Sequence, residues 1–555
     1  MERHIGVLYT GSGIPTEQVL YDTGQLKLQR DNIWFFSPNS TGVVNSPNAC
    51  TFENPCNSTQ FTAGNVNAIN TIAPYTNFYL ADGGSYLVGP LLTLNPGQSI
   101  YGRTADFCQV APGSPVILGG ITVLGGNTLQ AFRLIADGNV STGITAINAP
   151  NITIDRVKIG PSLSMVPFSE IPTGSFAYGI VLNNSKATIT DSIINAGDIN
   201  HNAETAARGL YAYNGSAFSI ANSAINVHSS GFSSLIAAPY FSTMSRATGL
   251  RVVNSQGDIA NNIVTVTGDG LLTNTDTMYV RTRGLAVLSD SGFESKVNSR
   301  NNQVNTIAYS QQSTGTGGVV RTSTAGIYDG SQDKNSKSIV NSTNDQFSIS
   351  ANAVNNVSSG QAIAFYTVGA GAVCIADHTY GEAQLNTNGD RININANAKA
   401  VDNNARIPVL LGIIGVVNGN NGISKVNSAY DSVTIKANAT TSGSATIGNY
   451  VEGSLVALVN PPAGTSIVNA KGDIFKAQLT ANGDPNPLNT YIRTNGVVAL
   501  AQQPGGFALV NITGGNQFIF QSRVNNAPSP VSYKTVSGTG TSIINDDGTN
   551  RFLAY

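Results

Sequence analysis

A glycine recurs along the middle of the chain at steps of roughly 30 to 42 residues, and each time it opens the same short pattern. Gly143 leads to Asn148, Gly179 to Asn183-Asn184-Ser185, Gly209 to Asn214-Gly215, and Gly249 to Asn254-Ser255. Gly284 with Asp290-Ser291, and Gly326, continue the series more loosely, and Val297-Asn298-Ser299 is matched by Val340-Asn341-Ser342. Each unit reads as a short alternating strand, a turn at Asn or Gly, and further short strands. Asn tolerates the left-handed backbone that tight corners need. No such unit can bury its apolar side alone, but stacking coil on coil buries a continuous core. Asn residues in register on successive coils can bond into a ladder of amides.

This periodicity predicts an all-β fold, a right-handed parallel β-helix. A propeller would carry a Trp-Asp type signature, and Trp34 is the only Trp in 555 residues. Composition agrees. Only 11% of residues are charged, 41% are hydrophobic and 59 are Gly. Disorder requires the opposite balance, and a net charge of -2 argues against a basic nucleic-acid surface.

The domain reading has three parts: residues 1–60 as an N-terminal extension, 61–430 as the β-helix with its cap, and 431–555 as a C-terminal β-rich domain or cap, because the repeat fades near 430. Thr62 to Ile72 has apolar residues near helical spacing and Pro74 ends it. A helix there would shield the open edge of the first coil. Segments of variable length precede the repeat glycines, at about 156–178, 195–208, 228–248, 266–283 and 305–325. They are expected to be loops projecting from one side, where solenoids often bind.

No apolar run is long enough for a transmembrane helix, and residues from Met1 onward lack the apolar core of a signal peptide. Cys50 and Cys56 flank a turn at Asn54-Pro55, so the two thiols are expected to pair, which implies an oxidising compartment. Cys108 and Cys374 are isolated, and no Cys or His grouping has metal-ligand spacing.

The coils from Gly143 to Ser342 resemble the pectin-lyase-like β-helix superfamily, and the Asn-rich, charge-poor style resembles the passenger regions of bacterial autotransporter-type surface proteins. Segment 26–36, with Trp34-Phe35-Phe36, is similar to the stretch that follows the membrane barrel in intimin/invasin-like proteins. The resemblance implies an extracellular or bacterial cell-surface location, with any membrane anchor upstream of Met1.

Glycoside hydrolysis needs two carboxylates facing one bond. Asn274-Thr275-Asp276 and Asp546-Asp547 are present, but the accompanying Gly-His-Gly and Arg-Ile-Lys motifs of polygalacturonases are not. Asp198, His201, Glu204 and Arg208 form a polar group within one variable segment, and His228 and His378 read as surface or satisfied corner residues. No catalytic set, metal site or cofactor is assigned.

The same segments carry a recurrent basic feature. Arg208, Arg246, Arg281, Arg283 and Arg321 fall shortly before repeat glycines, accompanied by Tyr240 and Tyr279. If the glycines align, the guanidiniums line one side; Arg and Tyr are enriched where proteins bind, and the alternative reading is that these arginines neutralise acids of the same segments and lie over the coil edge. The repeat architecture, low charge, Asn corners and lack of a complete catalytic set, with the location that the resemblance implies, lead to the expectation of an extracellular, surface-displayed adhesin or structural protein, with a cell-surface glycan or host surface protein as partner. A polysaccharide hydrolase or lyase on the same scaffold is the alternative, and self-association through coil ends is a third reading.

Overall fold

The computed structural model describes residues 33–555 apart from 47–48, 73–75, 112–114, 139, 201–204, 234–242, 274–276, 316, 365–369, 402–403, 408–410, 443–446 and 484–489. The chain is a parallel β-helix in which strands make up most of the residues and helix very little. It divides into two compact units. Unit 1 comprises Met1–Leu163, Pro172–Gly197 and Gly209–Ile225, and unit 2 comprises Ser164–Ile171, Asp198–Arg208 and Asn226–Tyr555.

In unit 1 the strands Ile33–Ser37, Asn77–Ala81, Ser99–Arg103, Thr128–Gln130, Ile152–Asp155, Lys186–Thr190 and Ala217–Ala221 pair in parallel, each with the next. The predicted helix forms over Ala63–Ile72. The Thr62 hydroxyl accepts from Asn65 N–H at its start, and Val66 and Ile69 are buried against the first coils. Phe61 packs edge-on against Phe36, Phe78 and Tyr86. Cys50 and Cys56 form a disulfide, as expected from the turn between them.

In unit 2 the strands Gln256–Ala260, Glu294–Arg300, Lys337–Thr343, Glu382–Asn388, Gly422–Ala429, Gly464–Lys471, Gly506–Thr513 and Thr541–Asp546 stack in the same way. The boundary expected near 430 falls inside this sheet, whose parallel pairing runs on to Asp546. The Val-Asn-Ser signature explains the register. Val297, Val340, Val426, Val468 and Val510 point inward and are fully buried, each such side chain contributing about 1.5–3 kcal/mol. The Asn residues point outward and bond in a column that starts at Asp258 and passes through Asn298, Asn341, Asn386, Asn427, Asn469, Asn511 and Asn545, at 2.7–2.9 Å per rung. Phe475, Phe518 and Phe552 form a second stack, with ring centres 5.1 and 5.0 Å apart.

The repeat glycines do align. Thr248 pairs with Arg283 and Leu250 with Leu285, which sets Gly249 beside Gly284, and the next strand sets Gly284 beside Gly326. A Cβ on Gly284 would lie 2.2 Å from Val304 Cγ1, so the glycine is required for close approach to the facing strand. In unit 1 a Cβ on Gly179 would lie 2.3 Å from Ile194 Cγ2.

Most of the variable segments are not loops, which corrects the sequence expectation. Ile193–Asn200, Thr205–Tyr213, Ala224–Ser233, Thr243–Val253, Ile263–Leu272, Thr277–Ser289, Gln303–Gln312 and Val319–Ser331 are extended strands. Their interior positions are small and polar, which hid the alternation. Thr282, Thr324 and Thr306 pass hydroxyl bonds to one another at 2.7 and 2.8 Å, and Thr205, Ser229 and Ser245 do so at 2.7 and 3.0 Å. A buried hydroxyl with a partner costs little.

Candidate functional site: an arginine groove on unit 2

The extended strands carry the arginines outward. Arg246 and Arg281 are direct register partners on neighbouring strands, and Arg321 pairs with Tyr279. Alternation holds up to the repeat glycine and then slips, because Gly249 and Leu250 are both buried. Arg251 therefore also faces outward, in one row with Ala286 and Tyr328. Ala286 is small and buried, which leaves a depression between its larger neighbours.

The result is a groove of about 350 Å³ lined by Arg246, Arg251, Arg281, Arg283, Tyr328 and Asp377, among others. The Arg283 guanidinium lies 3.5 Å from the centre of the Tyr328 ring, and Arg281 lies 5.2 Å from that of Tyr279. The Arg281 Nε and Nη2 groups donate to the Tyr279 hydroxyl at 3.4 Å. Desolvation pushes the Arg283 guanidinium down to about 10, and Arg281 and Arg251 push the same way while Tyr328 opposes them. It stays charged at neutral pH. Desolvation raises the Tyr328 phenol, with Arg283 working against it. Asp377 accepts from the Asn418 amide at 2.7 Å on the rim. It is the one carboxylate among the described lining residues.

Three of the expected arginines, Arg246, Arg281 and Arg283, are thus brought together. Arg321 and Arg208 lie on strands, outward of the core, but do not line the groove, and Tyr240 lies outside the described residues. Sequence reasoning missed Arg251 and Tyr328. Each stands two residues after a repeat glycine, so following the pattern past Gly249 and Gly326 would have found them.

Other chemistry-bearing groups have structural roles. His228 is fully buried. Its Nδ1–H donates to Ser164 O at 3.0 Å, and its Nε2 lies 2.6 Å from Asp269 Oδ2. Asp269 also accepts from Phe168 N–H and from the Ser230 hydroxyl. Both ring nitrogens are engaged and Ser230 bonds the carboxylate rather than the imidazole, so this is no nucleophile triad. The cluster ties segment 164–171 to the coils. Asp198 Oδ2 accepts from Ala206 N–H; His201, Glu204 and residues 274–276 lie outside the described residues.

A column of Asx residues runs through unit 2, buried and one position after the left-handed corner from Asn302 to Asn516 and ending at the half-buried Asn550. The side-chain oxygens of Asn302, Asp345, Asp390, Asp431, Asp473, Asn516 and Asn550 each accept the backbone N–H of the equivalent residue one coil earlier, at 2.6–2.8 Å. Burial raises all four carboxylates, Asp390 to about 8 and Asp473 to about 7, with neighbouring carboxylates adding to both. Asp390 Oδ2 has no donor among the described residues.

Compared with known proteins, the chain matches no family model and no curated protein.

Proposed function

We propose that the protein is an extracellular, surface-displayed β-helix of pectin-lyase-like, autotransporter-passenger type that binds acidic glycans through the arginine groove. Four guanidiniums facing one carboxylate in a single groove carry this reading. Guanidinium suits the planar carboxylate and the sulfate ester, and Tyr328 and Tyr279 hold two of the forks in place. The Cys50–Cys56 disulfide supports an oxidising compartment. Calorimetric titration with a sulfated or uronate-containing hexasaccharide tests it. Arg281→Ala and Arg283→Ala should each weaken binding by about tenfold. Unchanged affinity in both, or no binding by the parent, would sink the proposal. Labelling of intact cells with antibody tests display.

A polysaccharide lyase is the second reading, favoured by the desolvated Arg283 beside Tyr328. A hydrolase is less favoured, since the described groove lining offers one acid where two are needed. Release of unsaturated uronates from an acidic polymer, followed by ultraviolet absorbance, separates lyase from binder.

A further inference from the structure

The outward amide column has chemistry left over. In the ladder Asn427 donates one N–H to Asn386 and accepts one from Asn469. A primary amide has two N–H groups and two lone pairs. Among the described residues Asn427, Asn469 and Asn511 each keep one donor and one acceptor for something else, at steps of about 4.8 Å along the stack, whereas the Asn386 oxygen also accepts from Gln384 and that rung keeps a donor only. A groove of about 560 Å³ follows this column, lined by Asn386, Asn427, Asn469 and Asn511 on one side and by Ala429 and Lys471 on the other. Lys471 is the one charged side chain in its described lining, so the groove is close to neutral. It shares no lining residue with the arginine groove.

At its edge stands a residue that the corner does not want. Tyr430 has φ 57°. The equivalent left-handed corners in the other coils of unit 2 use Asn261, Asn301, Asn344, Gly389, Gly472 and Gly515, which adopt that backbone more cheaply than an aromatic residue. The ring does not compensate by burial, being 61% exposed. It lies against the next corner, where a Cβ on Gly472 would come within 2.9 Å of Tyr430 Cδ1 and Cε1. Glycine there lets the ring lie down, and the Lys471 ammonium sits 5.9 Å from its centre. Strain kept at an exposed position points to a use outside the fold.

We infer that this face is a second binding site, for an extended uncharged polysaccharide lying along the coil axis. Sugar hydroxyls both donate and accept, which matches the free donor and free acceptor of Asn427, Asn469 and Asn511. The Tyr430 ring supplies an apolar platform for the face of a sugar ring, as aromatic groups with one wet side commonly do at binding surfaces. A polyanion would find one lysine here and four guanidiniums in the other groove.

The test uses the full chain and three soluble probes: β-1,4-linked hexaoses of glucose, mannose and N-acetylglucosamine, titrated by calorimetry to millimolar concentration. At least one should bind. Tyr430→Gly should weaken that binding by about tenfold while unfolding at the same temperature or higher, because glycine suits the corner. Tyr430→Phe should retain it. The Arg281→Ala/Arg283→Ala double variant should bind the neutral hexaose like the parent. Binding of none of the three, full binding by Tyr430→Gly, or loss in the arginine variant with retention in Tyr430→Gly would each overturn the inference. Failure of acidic glycans to bind would instead strike the arginine groove alone.

Discussion

Both units turn the same kind of corner after each short strand, and they satisfy it with different side chains. In unit 1 the left-handed residues Arg156, Asp191 and Asn222 are followed by Val157, Ser192 and Ser223. Ser192 Oγ accepts Val157 N–H, Ser223 Oγ accepts Ser192 N–H, and each hydroxyl donates its own proton to a carbonyl two residues back. The serine column is complete by itself. In unit 2 Asx residues occupy the position, and an ionised carboxylate can only accept. It recruits donors from the inward residue of the short strands: Ser299 and Ser342 for Asp345, Thr387 and Ser428 for Asp431, and Ser428 for Asp473. A hydroxyl corner is neutral and self-sufficient. A carboxylate corner makes more bonds and ties its stability to pH.

The largest expected contrast is therefore in acid response. Asp390 and Asp473 have folded values near 8 and 7, well above the unfolded value near 4. The folded state holds these protons more tightly, so the stabilisation is full below about pH 4 and is lost as pH rises towards 8. Unit 2 should gain stability on acidification from pH 8 to 5, while the serine column of unit 1 contributes no such term. Hydrogen exchange by mass spectrometry, corrected for intrinsic rates, reads the two units separately; equal responses would break the comparison. Asp390→Asn should flatten the response and stabilise at pH 8, because the amide still accepts Asp345 N–H.

Deleting a rung comes next. Asp431→Ala strands Asp390 N–H and the Thr387 hydroxyl in the interior, and should cost about 3 kcal/mol in urea unfolding. Ser192→Ala in unit 1 removes the acceptor of one N–H and should cost about 1 kcal/mol, with no pH dependence. The smallest change sharpens the corner rule itself. Tyr430→Gly should raise stability by about 1 kcal/mol, whereas Gly472→Tyr in the next coil should lower it, both read from thermal melts.

Much of this architecture was legible. Val297-Asn298-Ser299 and Val340-Asn341-Ser342 encode one residue for the core, one for the outer ladder and one to serve the buried column. The glycines from Gly143 to Gly326 marked the register. What escaped reading did so for identifiable reasons. The long strands look like loops because Thr282, Thr306 and Thr324 replace the aliphatic residues by which alternation is recognised. The coils beyond 430 look like a new domain because the corner changes from Asn344-Asp345 to Tyr430-Asp431 and Gly472-Asp473, and the inward Ser becomes Ala470 and Ile512. Arginines at set distances before the glycines were visible, but Arg251 and Tyr328 enter the groove only because alternation slips at the glycine.

Sequence alone determined the class of fold and the rungs of its ladders, because stacking in parallel register places like beside like and the repeat is therefore the contact map. Only the tertiary structure decided which polar residues became chemistry. The same residue type lines a groove at Asp377, bonded to Asn418, and is a buried rung with a raised carboxyl at Asp390. That difference rests on desolvation and on neighbours some 40 residues away, which no local pattern records.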